Sequence, residues 1–288
     1  MARRALHAAL PLTVIALIAS GLAQAMGSAR VAALQVGLVQ RGLYAGPVDG
    51  LEGPATRQAV VALEKRAGLS DDAIAAPRIR AAMGGWGKYE LGTRALHIGN
   101  SGWDVAELQF LLAWHGFPSA LFTGRFESHV EAALVRYQRW AGLQADGIAG
   151  PRTIASLTLT PLPTCPIRLA WPLEAPIASP FGPRGFGFHS GIDLAAPRGT
   201  AVASAASGQV VWASFMAGGW GNLVIVAHKG GVESMYAHLS RIDVHVGDIV
   251  RTRERLGLVG ATGDAAGPHL HFEVRVRGAA VDPLTGLK

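Results

Sequence analysis

The stretch Gly267-Pro-His-Leu-His-Phe-Glu-Val-Arg-Val276 alternates polar with apolar or aromatic side chains. Alternation with a period of two predicts a β-strand that has one buried face and one polar face. His269 and His271 then share the polar face, while Leu270 and Phe272 point into the core. The stretch therefore predicts a rigid strand that presents two imidazoles to the same side.

A second segment, His189-Ser-Gly-Ile-Asp193, adds a third imidazole and a carboxylate. Neighbouring glycines, with Pro197, disfavour a regular helix and favour an extended or looped segment. Catalytic zinc usually takes three ligands from His, Asp or Glu and leaves one position for water. The two segments together supply such a set with one imidazole left over. One imidazole of the His269/His271 pair can bind the metal while its neighbour touches substrate.

The histidines cluster in the C-terminal part of the chain, where six of the ten occur, including His238 as a further candidate. A single histidine near a strand is more often structural or exposed than functional, but the combined spacings favour a metal site. His228 ends an apolar run and His245 lacks a matching motif. We expect structural roles for both and exclude them from the site.

Residues 170 to 285 resemble the lysostaphin-type, or LytM-like, zinc metallopeptidases that cut peptide bonds in bacterial peptidoglycan. Five motifs in order carry this resemblance: Phe181-Gly-Pro-Arg184, Gly219-Trp-Gly-Asn222, Tyr236-Ala-His238-Leu239, Val246-Gly-Asp-Ile-Val250 and Gly267-Pro-His-Leu-His-Phe-Glu273. Two positions depart from the family pattern. Arg253 stands where glycine is common in a turn, and Ala266 stands where Thr or Ser is usual.

The resemblance implies a role for each site residue. It implies one zinc ion per chain, bound by His189, Asp193 and His271, with His238 and His269 as catalytic residues and Asn222 beside the substrate. Zinc lowers the pKa of bound water and polarises the scissile carbonyl, so no His-Glu-x-x-His carboxylate base is needed. Either His238 or His269 can orient or deprotonate the water.

An internal repeat precedes this region. Leu34-Gln35 recurs as Leu108-Gln109, and Gly68-Leu69 recurs as Gly142-Leu143, both with an offset of 74 residues (108 − 34 and 142 − 68). Apolar residues at helical spacing predict two amphipathic helices and a short third helix in each copy. The third helices should begin near Pro77 and Pro151, because proline suits the first turn.

Each copy resembles the small helical peptidoglycan-binding domain family. The second copy keeps more of the family's landmarks, in Tyr137-Gln138, Asp146-Gly147 and Gly150-Pro-Arg-Thr153. The first copy has Leu63-Glu64 and Asp72-Ala73 instead but retains Asp49-Gly50. We interpret the first copy as a degenerate binding unit with a mainly structural role. For both modules, the alternative is a role as helical spacers or as a lid over the zinc groove.

The N-terminus predicts export. Arg3 and Arg4 precede an apolar stretch from Ala8 to about Ala23, followed by the small-x-small pattern Ala23-Gln24-Ala25. This is typical of a signal peptide, and the stretch falls short of the roughly 20 apolar residues that span a bilayer. We therefore expect no stable membrane insertion after cleavage, and a secreted, extracellular or wall-associated protein that is periplasmic in a cell with an outer membrane.

Composition narrows the class of partner. The net charge is +6, but Lys and Arg are scattered and form no basic patch with interleaved aromatics. Nucleic-acid binding is therefore not expected, whereas anionic wall polymers remain compatible partners. Cys165 is the single cysteine, which excludes an internal disulfide.

The predicted fold class is α+β and multidomain, with two three-helix modules followed by an antiparallel β-rich catalytic domain. The expected boundaries are 1–25 for the signal peptide, 29–83 and 103–158 for the repeats, 84–102 and a Pro-rich 159–169 for the linkers, and 170–288 for the peptidase. Strand-type runs are expected at 201–212, 223–228 and 271–276. Peptidoglycan is the expected substrate. The alternatives are a non-catalytic regulator of another wall hydrolase and a peptidase that acts on protein.

Overall fold

The computed structural model describes residues 26–69 and 77–288. Six α-helices come first: α1 Ala29–Gln40, α2 Pro54–Ala67, α3 Pro77–Ala82, α4 Trp103–Trp114, α5 Ser128–Trp140 and α6 Pro151–Leu159. Thirteen short strands follow from residue 177 onward within the described residues. The predicted order of helical modules and β-rich domain is confirmed. The predicted signal segment lies outside the described residues.

The helices of each repeat begin and end where local chemistry allows. The side chain of Ser28 caps α1 by accepting from the Val31 amide, and Pro54 and Pro151 occupy the first turns of α2 and α6. Gly68 ends α2 in the left-handed region at φ 65°, which glycine adopts without a Cβ clash. The predicted starts of the third helices at Pro77 and Pro151 are confirmed.

The landmark residues of the repeats build their turns. Buried Gln35 donates from Nε2 to Asp49 Oδ1 (2.7 Å), and its Oε1 accepts from the Gly50 amide (2.9 Å). Gln138 makes the same contacts with Asp146 Oδ1 (2.9 Å) and the Gly147 amide (3.0 Å). A buried amide whose donors and acceptor are paired fixes the local chain path. The Asp-Gly landmarks therefore have a structural role in both copies.

The strands are β1 Ile177–Ser179, β2 Gly182–Arg184, β3 Gly187–His189, β4 Ile192–Ala195, β5 Ala201–Ala203, β6 Gly208–Met216, β7 Gly221–His228, β8 Val232–Leu239, β9 Arg241–Ile242, β10 Ile249–Val250, β11 Arg255–Leu258, β12 His269–Val276 and β13 Ala279–Val281. The main sheet has eight strands in the order β1-β4-β12-β8-β7-β6-β10, with β13 also paired to β12. All of its pairs are antiparallel.

Two smaller sheets complete the domain, one made of β5, β11 and β9 and the other of β2 and β3 alone. The run predicted at 201–212 is in fact two strands, β5 and β6, because the chain turns between Ser204 and Ser207 and the strands join different sheets. Arg253 has φ 68°. It adopts the conformation that a glycine would take more easily in that turn.

The helical and β parts share one core. A single buried apolar cluster runs from α1 and α4 into the main sheet, where Leu270 and Phe272 are fully buried as predicted. Segment 84–102, which we expect to connect the repeats, packs onto the second one, since Leu96 is buried and pairs with Ala149. No helix within the described ranges is both long enough and apolar enough to cross a bilayer.

Candidate metal centre

Two of the predicted ligands lie side by side in the main sheet. Asp193 on β4 and His271 on β12 are directly paired across the two strands. Their side chains meet with His271 Nδ1 2.9 Å from Asp193 Oδ1. Both residues are buried, and the rigid pairing of two central strands fixes their separation.

The third predicted ligand arrives from outside the main sheet. His189 ends β3 in the two-stranded β2–β3 hairpin. Its Nε2 lies 3.0 Å from His271 Nδ1 and 3.0 Å from Asp193 Oδ1. Zinc ligands at about 2.0–2.1 Å in tetrahedral geometry stand roughly 3.3 Å apart. The three atoms thus form a triangle of nearly the size that a zinc ion requires.

The hydrogen bonds around His189 fix which ring nitrogen faces the centre. His189 Nδ1 lies 2.8 Å from the carbonyl oxygen of Pro180. A carbonyl only accepts, so Nδ1 carries a proton, and Nε2 is the ring nitrogen that faces Asp193 and His271. Burial opposes the charge on Asp193, but the hydrogen bonds from the two histidines outweigh it and hold the pKa of this carboxyl well below its usual range. The donor set therefore fits a divalent cation.

The buried carboxylate of Glu273 contacts the His271 ring on the side away from Asp193. Glu273 Oε2 lies 3.5 Å from His271 Nε2 and accepts from Ser190 Oγ at 2.6 Å. The Arg275 guanidinium contacts the other oxygen at 2.5 Å. Burial raises the pKa of Glu273, but these partners more than reverse that effect and leave the pKa below its ordinary value. An imidazole that binds a metal through one nitrogen is usually oriented by a carboxylate or another acceptor at its other nitrogen.

Arg184 provides a further contact to the carboxylate. Its Nη1 donates to Asp193 Oδ2 at 2.9 Å. Sequence reasoning missed the supporting roles of Arg184, Glu273 and Arg275. The alternation along β12 contained the signal for two of them, since Glu273 and Arg275 fall on the same strand face as His271.

The two remaining imidazoles lie next to the triangle but outside it. His269 Nε2 is 3.8 Å from Asp193 Oδ1, and the rings of His238 and His269 have centroids 4.7 Å apart. His238 Nδ1 donates to Thr262 O and His269 Nδ1 donates to Gly267 O, each at 2.8 Å. Both rings therefore keep Nε2 free to accept a proton. Burial, the largest influence, lowers the pKa of His238 and favours its neutral form.

A β-bulge aims the His238 side chain. Asn222 pairs with Leu239 and Val224 pairs with Tyr236, so two residues of β8 face one residue of β7. His238 is one of those two residues and has φ 61°. A non-glycine residue in this region costs on the order of 1–3 kcal/mol and is found mainly at functional sites. Periodicity alone does not reveal such a bulge.

Asn222 stabilises the bulge. Its Nδ2 donates to Leu239 O at 2.9 Å, and its backbone amide donates to Thr262 Oγ1 at 2.9 Å. The predicted contact of Asn222 with substrate stays a prediction. The neighbouring Trp220 ring meets His271 edge to face at 5.5 Å, and exposed Phe215 pairs with Asn222 across β6 and β7.

The histidines excluded from the site do lie away from it. His228 is held by Ser207 O at 3.0 Å and Ser234 Oγ at 2.7 Å, at the far end of β7, and burial lowers its pKa. The His245 side chain is almost wholly exposed. Cys165 is buried and free, as expected for an unpaired structural thiol.

The triad of two imidazoles and one carboxylate, flanked by two further imidazoles, could hold a metal ion. The model of "Peptidase family M23" matches residues 187–283, and that of "Putative peptidoglycan binding domain" matches residues 27–83 and 101–157. Residues 187–283 therefore form a domain of peptidase family M23, and two repeats of the peptidoglycan-binding type precede it.

Three relatives illustrate the match. The chain is 44% identical to the DD-carboxypeptidase/endopeptidase Mpg of Neisseria meningitidis serogroup B over 38% of this chain and 26% of that protein. It is 35% identical to the murein hydrolase activator NlpD of Escherichia coli over 44% and 32% of the two chains. Among solved structures, the catalytic domain of lysostaphin from Staphylococcus simulans is 33% identical, covering 38% of this chain and 90% of that one, with a TM-score of 0.36. The match thus spans only about a quarter to a third of the two curated relatives' length.

Proposed function

We propose that this chain is an exported zinc metalloendopeptidase that cleaves peptide bonds in the stem or cross-link peptides of peptidoglycan. The observation that carries the proposal is the convergence of His189 Nε2, Asp193 Oδ1 and His271 Nδ1 within 3.0 Å of one another. The repeats support peptidoglycan as the substrate and partner.

The chemistry divides between the metal and two imidazoles. A zinc ion held by the triad would lower the pKa of a water molecule and polarise the scissile carbonyl. His238 and His269 each present a free Nε2, so either can accept the proton of the attacking water and later deliver it to the departing amine. The bulge at His238 and the Thr262 carbonyl fix this ring before substrate arrives, which avoids reorganisation during the reaction.

Two aromatic residues support the binding of an extended peptide. Trp220 lies against His271, and Phe215 is 60% exposed at the end of β6. The described hydrogen bonds and ring contacts of the repeats reach the β2–β3 hairpin and the β12–β13 turn and do not reach His238, His269 or Asn222. This favours repeats that hold the enzyme on the wall over repeats that cover the groove.

The proposal is tested by incubating the full chain, loaded with one equivalent of zinc, with purified insoluble peptidoglycan and analysing released fragments by mass spectrometry. We expect peptide fragments with new termini, and the masses identify the bond. The matched control is Asp193→Ala, which should release none. Equal cleavage of an unrelated protein such as casein would instead support a general peptidase.

The similarity to a murein hydrolase activator favours one alternative, a non-catalytic regulator. A regulator would release no fragments by itself but would increase the release produced by a separate wall hydrolase. The complete triad and both additional imidazoles argue for catalysis, since a regulator has no need of them. If the zinc-loaded chain releases nothing alone and stimulates a wall amidase, the regulator interpretation replaces our proposal.

A further inference from the structure

Within the described residues, the β2–β3 hairpin that carries His189 pairs with no other strand. Its sheet contains only β2 and β3, whereas Asp193 and His271 belong to strands in the eight-stranded sheet. An isolated two-stranded hairpin is at best marginally stable and requires packing against another element. The position of His189 therefore depends on whatever packs against this hairpin.

The packing comes from the helical repeats. Trp114, at the end of α4 in the second repeat, meets the ring of Phe188 at 5.4 Å and that of Phe181 at 6.1 Å between centroids. Phe181 and Phe188 also pack edge to face on each other at 5.0 Å. Trp114 and Phe181 are each only 4% exposed. The three rings form a buried cluster, which we call the hairpin anchor.

The hairpin anchor surrounds the residues that fix the ligand. Phe188 directly precedes His189 in the chain, and Phe181 directly follows Pro180, whose carbonyl accepts from His189 Nδ1 at 2.8 Å. Trp114 therefore contacts the neighbour of the ligand and the neighbour of its hydrogen-bond acceptor. A shift of the anchor would move both together.

The tip of the hairpin is held by both repeats through the main chain. The Val48 amide of the first repeat donates to Gly185 O at 2.8 Å, and the Phe122 amide of the second donates to Phe186 O at 2.7 Å. A second contact between repeats and peptidase lies elsewhere, where Trp140 Nε1 donates to Val276 O at 3.3 Å. Val276 lies five residues beyond His271 on β12, or about 17 Å along the strand.

We infer that Trp114 is a positioning residue of the metal centre, and that the second repeat sets zinc affinity through the hairpin anchor. The inference rests on the proposed metal site. Among the described residues the Trp114 indole N–H has no hydrogen-bond partner, so Trp114 itself acts on the hairpin through ring packing. Phenylalanine at this position should therefore preserve the function, whereas leucine should not.

The test uses the full chain and two readouts that do not depend on hydrolysis. Zinc affinity is measured by competition with a chelator, and amide hydrogen exchange is followed in the metal-free protein. For Trp114→Leu we expect zinc binding to weaken about 10- to 100-fold, the usual range for losing support of a ligand. Exchange should accelerate in residues 182–189 and stay unchanged in β12. Trp114→Phe should restore both.

The matched control is Trp140→Leu, which removes another tryptophan between the second repeat and the peptidase. It should leave zinc affinity and hairpin exchange as in the unaltered chain. Phe188→Leu, from the other side of the anchor, is measured in parallel and decides the matter if Trp114→Leu does not fold. Unchanged zinc affinity in the folded anchor variants, or an equal loss in Trp140→Leu, would overturn the inference.

The outcomes separate this inference from the proposed function. A chain that binds zinc tightly and loses it on anchor substitution but releases no wall fragments would support the anchor and refute the peptidase. A chain that cleaves peptidoglycan with unchanged zinc affinity in the anchor variants would do the reverse. A chain that binds no zinc in the unaltered form contradicts both.

Discussion

The main sheet and the β2–β3 hairpin hold the candidate metal ligands in position in different ways. In the sheet, Asp193 and His271 sit opposite each other on paired central strands, and six further strands brace them. On the hairpin, His189 relies on aromatic packing against a helix more than 70 residues earlier in the chain, since 189 − 114 is 75. The difference shows that one residue of the candidate metal centre lies on an element that packs against a neighbouring module, whereas the other two lie within the main sheet.

Removing a ligand from either region has the largest expected effect. In His189→Ala or Asp193→Ala only two protein ligands remain, so bound zinc and hydrolysis should both fall to background.

His238→Ala should keep near one equivalent of zinc and lose about 10²- to 10⁴-fold in rate, the usual cost of losing a general base. Elemental analysis beside a wall-hydrolysis assay makes the measurement. Loss of zinc from His238→Ala, or full activity, would contradict the assigned role.

Weakening the support on the sheet side comes next in size. Glu273→Gln keeps the shape but removes the charge that lies 3.5 Å from His271 Nε2 and contacts Arg275. We expect zinc affinity to fall about 10- to 100-fold, as for other residues behind a ligand. Hydrogen exchange in the hairpin should not change, which distinguishes this variant from Trp114→Leu. Glu174→Gln, at an exposed position, serves as control; faster hairpin exchange in Glu273→Gln would mean that the two regions are not independent.

The smallest expected effect is on the pH dependence of folding stability, and it arises from buried histidines outside the metal centre. Burial lowers the pKa of His228 in the sheet and of His115 in the second repeat. The unfolded chain therefore binds more protons than the folded one once the pH falls below about 6.5, and stability declines as the pH drops further through the lowered pKa values. The midpoint of thermal unfolding of the metal-free chain, followed from pH 7.5 to 5, should fall.

His228→Gln should reduce that acid sensitivity, whereas His245→Gln should not, because the His245 side chain is almost wholly exposed. Equal acid sensitivity of the unaltered chain and of His228→Gln would contradict the assignment of a neutral, buried imidazole at this position.

The sequence predicted an element correctly wherever one hydrophobic period runs along the whole helix or strand. Alternation along 269–276 predicted the buried Leu270 and Phe272, and helical spacing predicted the three helices of each repeat. The family resemblance predicted a triad whose atoms do converge. The domain boundaries and the roles of His238, His269 and Asn222 stay predictions.

Contacts between distant segments were not predictable in the same way. The run 201–212 was predicted as one strand, but its two halves pair with different strands and belong to two sheets. The bulge at His238 and its contact with Thr262 arise from packing of a loop 24 residues away (262 − 238). The hairpin anchor joins three aromatic residues from distant segments, and no sequence pattern pairs them. Each of these depends on which surfaces meet rather than on local composition.

The hydrogen bond between Val48 and Gly185 has a consequence for the order of folding. It joins residues 137 positions apart (185 − 48), and such long-range contacts form late because a large loop must close first. The two repeats pack on each other through α1 and α4 and are synthesised first, so we expect them to fold before the hairpin. Assembly of the three-ligand centre would then be among the last events, after the whole chain has emerged. A newly made chain would therefore acquire its candidate metal site only once the repeats, the hairpin and the main sheet have come together.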